Sequence, residues 1–170
     1  MRLKTHESTA LALSYLLYAR TSPRPHPLQL FYGAVASVLA QRLLDGVGHT
    51  TVCRRGRCYP ARNRMHSLPA VAALGLLLST PLLLAGVHPP YALAPLAALL
   101  LHYLEDMVTE GGVYLGEGRV KLVGLRYDDP VANAAASLAF TILLFAAPPG
   151  SPVAAAYWAA SLAYLLASLR

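Results

Sequence analysis

The chain has 170 residues, 56% hydrophobic and only 13% charged, against about 25% charged in a typical soluble domain, and its mean hydropathy is +0.47. This composition excludes an ordinary water-soluble globule, and the length excludes two ordinary domains. The formal net charge of +6 is carried by twelve arginines and two lysines that lie almost entirely in loops between apolar stretches; lipid head groups and membrane topology explain it better than nucleic acid does.

In chain order, six apolar segments can be marked at about residues 8–18, 28–44, 68–87, 92–107, 131–147 and 153–169. A spanning helix takes roughly 20 residues. The third segment reaches that length alone, and the others reach it with their polar ends included. The first is the weakest and is expected to be tilted or partly re-entrant. Segments three, five and six are apolar all round, with no polar face of helical period. The connections Gly86-Val87-His88-Pro89-Pro90 and Pro148-Pro149-Gly150-Ser151-Pro152 are tight turns without formal charge, which counts against a soluble bundle. The basic start is not followed by a signal peptide, because His6 and Glu7 interrupt it and further spans follow.

The expected fold is therefore all-α: one integral membrane bundle over residues 1–170, with about six transmembrane helices and polar loops at about 46–65 and 110–130. With the N-terminus inside, eleven basic residues fall on the inner side and only Arg20 and Arg24 outside. The positive-inside rule then places both termini in the cytoplasm, with the protein in the cell membrane. The polar ends of the first five spans meet at one depth on that face: His6, Asp45, His49, His66, His102, Asp106, Glu110, Asp128 and Asp129. Ionisable groups at membrane depth are costly, so their convergence marks a site.

The strongest local signal is His102 with Asp106, four residues apart and so on one helical face; an imidazole and a carboxylate there can share a metal ion. Glu110 continues the stripe one turn on. His66 precedes Ser67, a natural N-cap, with Pro69 in the first turn. His6 opens the first span and Asp45 closes the second. The expected metal ligands are thus His6, Asp45, His66, His102 and Asp106, drawn from four helices as in helix-bundle metal sites. Nitrogen and oxygen donors without thiolate suit Zn first, and also Mn or Fe. Glu110 or Asp128 is the expected catalytic base, and Arg62 and Arg64 the residues that would grip an anionic head group. The basic loop 54–64 is the expected contact with anionic membrane lipids.

Within that loop, His49, Cys53, Cys58 and His66 could form a structural zinc site, though the spacing matches no standard finger. A Cys53–Cys58 disulfide is the alternative. Gly111-Gly112 permits a sharp helix exit, residues 113–123 alternate enough for a short hairpin around Gly116-Glu117-Gly118, and Asp129-Pro130 reads as a helix start. The last two segments carry no visible chemistry; they either wall the bundle or meet a second copy through Ala and Ser.

Lys4-Thr5-His6, Asp45, Met65-His66-Ser67-Leu68 and His102-x3-Asp106-x2-Thr109-x2-Gly112-Val113 together resemble the membrane-bound metal-dependent hydrolase family, also called the LexA-regulated inner-membrane hydrolases. The stretches Thr109-Glu110-Gly111-Gly112-Val113-Tyr114 and Tyr127-Asp128-Asp129-Pro130-Val131-Ala132-Asn133 look closer still to its archaeal members. The resemblance covers about residues 4–133. It implies a divalent metal and a hydrolytic activity. The bacterial pattern reads His-Arg-Gly-x-Thr-His-Ser before the third span; here Ala61 stands in place of its first His and Met65 in place of Thr, while Arg62, His66 and Ser67 match. Either a ligand is missing or His49 replaces it.

The expected function is a metal-dependent hydrolase acting at the cytoplasmic interface on a phospholipid or other lipid-linked ester. The rival readings are a non-catalytic membrane anchor or assembly subunit, supported by Ala61 and the short chain, and a small ion-coupled transporter. The polar groups cluster at one face rather than mid-span, and no inverted repeat is visible, which counts against the transporter.

Overall fold

A computed structural model of the chain describes residues 2–21, 26–54, 57–126 and 128–169. Arg24, Arg55 and Arg170 lie outside the described residues, as do the side chains of Arg20, Arg54 and Arg57, so most of the head-group contact expected of the basic loop falls outside them too.

The described chain is mostly helical. Helices α1 (Leu3–Thr21) and α2 (Pro27–Gly48) are followed by an antiparallel hairpin of β1 (His49–Arg54) and β2 (Arg57–Arg62), then a 3-10 turn at Arg64–His66. Next come α3 (Leu68–Leu84), the single turn α4 (Pro89–Ala92) and α5 (Ala94–Met107). A second hairpin pairs β3 (Val113–Leu115) with β4 (Gly118–Val120), and α6 (Pro130–Phe145) and α7 (Pro152–Ser168) complete the order.

The all-α expectation holds for the body of the protein, but its polar connections carry the two hairpins. The segment expected as a loop from residue 46 is helical to Gly48 and then forms a ladder in which Cys53 stands opposite Cys58. Cys53 is disulfide-bonded. That removes its thiolate from ligation and overturns the reading of His49, Cys53, Cys58 and His66 as a structural zinc site.

Among the described residues, α2, with 22 residues, is the one helix both long and apolar enough by itself to cross a membrane; α3, α6 and α7 are apolar too but have 17, 16 and 17 residues. The outer faces are oily. Leu76, Leu77 and Leu84 on α3 and Val131, Ile142 and Phe145 on α6 are exposed, an arrangement costly in water and natural against lipid tails.

The first segment, the weakest by hydropathy, is one continuous helix at the centre of the bundle and not a re-entrant piece. It packs on α2, α4, α5, α6 and α7. Its low hydropathy reflects that position. Thr5, His6, Glu7, Ser8 and Thr9 are all buried, because an interior helix in a membrane bundle gains from small and hydrogen-bonding residues rather than from oil. Thr5 Oγ1 donates to Asn133 Oδ1 on α6 (2.7 Å), Ser14 Oγ to Ser37 Oγ on α2 (2.9 Å) and Tyr15 OH to the Ala147 carbonyl (2.8 Å).

The expected helix starts are present. Ser67 Oγ accepts from the Ala70 amide, and Asp129 Oδ1 accepts from the amides of Val131 and Ala132. The fourth segment is broken by its prolines: Pro89 and Pro90 open α4, and Pro95 sits in the first turn of α5. Helices α3 and α5 approach closely at Gly75, where an added Cβ would lie 2.8 Å from Leu96 Cα. Alanine gains up to about 1 kcal/mol in helix propensity over glycine, but overpacking two backbones costs about 1–3 kcal/mol. Gly75→Ala is therefore expected to lower the unfolding midpoint in detergent; a raised midpoint would contradict the contact.

Candidate metal centre

The polar end of the bundle gathers side chains from five segments. His6 comes from the first turns of α1, Asp45 from the end of α2, His49 from the start of β1, His66 from the 3-10 turn, and His102, Glu105 and Asp106 from the last turns of α5. The helical spacing sets His102 and Asp106 on one face, as the sequence suggested, and Ser67 capping α3 fixes the turn that carries His66.

Asp106 is the hub. Its Oδ1 lies 3.3 Å from His6 Nε2, and its Oδ2 lies 3.2 Å from His102 Nε2 and 3.5 Å from His66 Nε2. The rings of His6 and His102 stack with centroids 3.8 Å apart. His6, His66, His102 and Asp106 are essentially without solvent exposure.

The backs of two histidines are anchored. His6 Nδ1 donates to Glu105 Oε2 at 2.5 Å, and His102 Nδ1 donates to Gln41 Oε1 at 2.5 Å. Gln41 is itself oriented by its Nε2 donating to the Ala98 carbonyl at 2.8 Å. Anchored at Nδ1, each ring turns Nε2 toward Asp106. Metal-ligating histidines are held in this way by a carboxylate or carbonyl behind the ring. His102 Nε2 and both ring nitrogens of His66 are buried with no hydrogen-bond partner among the described residues. Buried polar atoms are normally satisfied, so donors left open toward one point mark a place for a ligand. His6, His102 and Asp106 offer three ligand atoms within 4.8 Å of one another.

Burial holds the His66 imidazole down at a pKa of about 3. Loss of hydration outweighs the attraction of Asp106, and repulsion from the Arg62 guanidinium pushes the same way as burial. The ring is thus neutral at physiological pH and carries a free lone pair.

Arg62, expected to bind substrate, is turned inward. Its Nη2 donates to Asp106 Oδ1 (2.6 Å), and its Nη1 to Thr109 Oγ1 (2.6 Å) and the Gly112 carbonyl (3.1 Å). It braces the hub carboxylate against the turn after α5. Lysine cannot reproduce this fork. Arg62→Lys is expected to weaken metal retention by roughly 10–100-fold, the usual cost of losing a residue behind a ligand, with the helical fold kept; chelator competition measures it, and unchanged retention would remove Arg62 from the centre. Arg64 is exposed.

The expected bases are not brought to the cluster. Glu110 is exposed on the turn after α5, and the Asp128 carboxylate pairs with Arg126 at 3.2 Å. Asp45 does reach it, with Oδ1 3.6 Å from His102 Nε2. Glu105 and Gln41 are the residues that reading the sequence missed. The signal for Glu105 was its place beside Asp106; for Gln41, an amide one turn before Asp45 in an apolar segment.

A bundle with an oily exterior and a buried imidazole–carboxylate cluster at one end defines a helical membrane protein with a candidate metal centre. The whole chain, residues 1–170, matches the family model described as YdjM inner membrane protein, and the chain belongs to that family. It is thus a membrane protein, as its composition led one to expect; the family's description names no activity. No curated protein and no solved structure matches it.

Proposed function

We propose that the protein is a metal-dependent hydrolase acting on a phospholipid or other lipid-linked ester at the cytoplasmic interface of the membrane, both termini being cytoplasmic. The observation that carries the reading is three buried imidazoles that turn Nε2 toward Asp106, His6 and His102 being anchored from behind and His66 and His102 keeping nitrogens without a hydrogen-bond partner among the described residues. His6, His102 and Asp106 would hold the ion. Zinc suits these donors best, and manganese and iron accept them too. Such an ion supplies Lewis acidity toward water and toward an ester or phosphoryl oxygen. The chain's own residues do the rest. Glu105 and Gln41 keep the imidazoles in the ligating tautomer, Arg62 holds the carboxylate in place, and the walls of the cluster keep bulk water out.

A lipid substrate is supported by a groove of about 540 Å³ between α1, α2 and α7, lined by Leu11, Leu30, Phe31, Leu39 and Val153 and ending at Arg42. Arg42 Nε meets Glu7 Oε1 at 2.5 Å. Glu7 follows His6 directly, and Arg42 lies one turn before Asp45, so the polar end of the groove lies at the same end of the bundle as the cluster. An acyl chain fits the groove, and the exposed Arg64 is available to an anionic head group.

Elemental analysis of detergent-purified protein, paired with hydrolysis of mixed lipid vesicles before and after chelation, tests the proposal. Bound metal and activity that a chelator removes together and the same metal restores is the expected result. Bound metal with no hydrolysis of any lipid would favour a non-catalytic anchor or assembly role, and no metal after reloading would end the reading.

A further inference from the structure

We infer that the centre holds two divalent ions, with a second site formed by Asp45, His49 and His66 beside the first; the inference rests on the proposed metal-dependent reading and extends it. These three residues offer ligand atoms that all lie within 4.8 Å of one another, a second group distinct from His6, His102 and Asp106. The cluster therefore presents six donor residues, more than the four that a single tetrahedral ion takes.

The two groups are joined through their carboxylates. Asp106 turns Oδ1 to His6 at 3.3 Å and Oδ2 to both His102 at 3.2 Å and His66 at 3.5 Å, so Oδ2 faces ligands of both groups. Asp45, of the second group, places Oδ1 3.6 Å from His102 Nε2 of the first. Paired ions in hydrolytic centres stand about 3.5–4 Å apart, a separation that a carboxylate bridges.

His66 is the second independent mark. It is fully buried, yet neither ring nitrogen has a hydrogen-bond partner among the described residues. His49, whose ring packs edge-on to His66 with centroids 4.9 Å apart, is held by its own Nδ1 at 2.9 Å from the Asp45 carbonyl, the same anchoring from behind that orients His6 and His102. Gly48 makes room for the ring: an added Cβ there would collide with His66. This site also assigns a role to His49 in a chain where Ala61 stands in place of the resembling family's first histidine.

The test uses the full chain in detergent, stripped by chelator and titrated with manganese(II) alone, read by elemental analysis and electron paramagnetic resonance. Wild type is expected to retain about two ions per chain and to show an exchange-coupled spectrum; His49→Ala is expected to drop to one ion with an uncoupled spectrum. Asp45→Asn serves as the second variant should His49→Ala fail to fold, and the coupled spectrum of wild type decides independently of either. One uncoupled ion in wild type overturns the second site and leaves the hydrolase reading standing. No ion in wild type overturns both.

Discussion

Asp106→Asn is expected to abolish metal retention while the helical bundle survives. The carboxylate is the one group that faces His6, His66 and His102 together, and the amide puts an N–H donor where a ligand oxygen is needed. The isosteric change keeps an acceptor for Arg62, whose Nη2 sits 2.6 Å from Oδ1. Asp106→Ala goes further, because it strands a guanidinium that is nearly buried; breaking such a pair costs about 3–5 kcal/mol. The two variants should therefore agree on metal and differ on stability. Elemental analysis and thermal unfolding in detergent give both numbers, and metal retained near wild-type level in Asp106→Asn would show that the cluster is a hydrogen-bonded network and not a metal centre.

The second large effect is acid sensitivity of the metal-free protein. His66 is neutral when folded, with its pKa lowered from 6.5 to about 3 by burial. The unfolded chain takes up a proton near pH 6.5 and the folded chain does not, so stability is full above that pH and is lost as pH falls toward 3. At about 1.4 kcal/mol per unit the ceiling is on the order of 5 kcal/mol. His66→Gln, which cannot charge, should show a shallower fall over the same window. Unfolding midpoints of both proteins, metal-free, at steps from pH 7 to 4 measure this, and identical slopes would show that His66 is not the proton acceptor.

The centre was partly legible because some of its geometry is local. His102 and Asp106 share a face through helical spacing alone, and His66 announces itself beside a cap and a proline. His6 and Asp45 were visible as polar residues closing apolar segments. Glu105 and Gln41 were not, since their roles depend on how α5 and α2 are rotated against α1, which no single segment encodes. Glu110 and Asp128 drew attention by charge and proximity in sequence, but the turn after α5 leaves one exposed and Arg126 takes the other. The 49–62 hairpin was missed although Thr50-Thr51-Val52 is a run of strand formers, because the arginines around it read as a solvated loop. α1 was misjudged for a related reason: hydropathy measures affinity for lipid, and a helix surrounded by other helices does not touch lipid.

That enclosure has a consequence for the order of assembly. α1 emerges from the ribosome before every helix that later surrounds it. Thr5 meets Asn133, 128 residues on, and Glu7 meets Tyr164, 157 residues on, as well as Arg42 on α2. Hydrocarbon offers the Thr5 hydroxyl no substitute partner, so α1 is expected to stay at the water–lipid boundary or with the insertion machinery until α6 arrives. Nascent chains stalled before α6 are expected to bind metal weakly or not at all, α1 being enclosed only once α6 and α7 have packed on it.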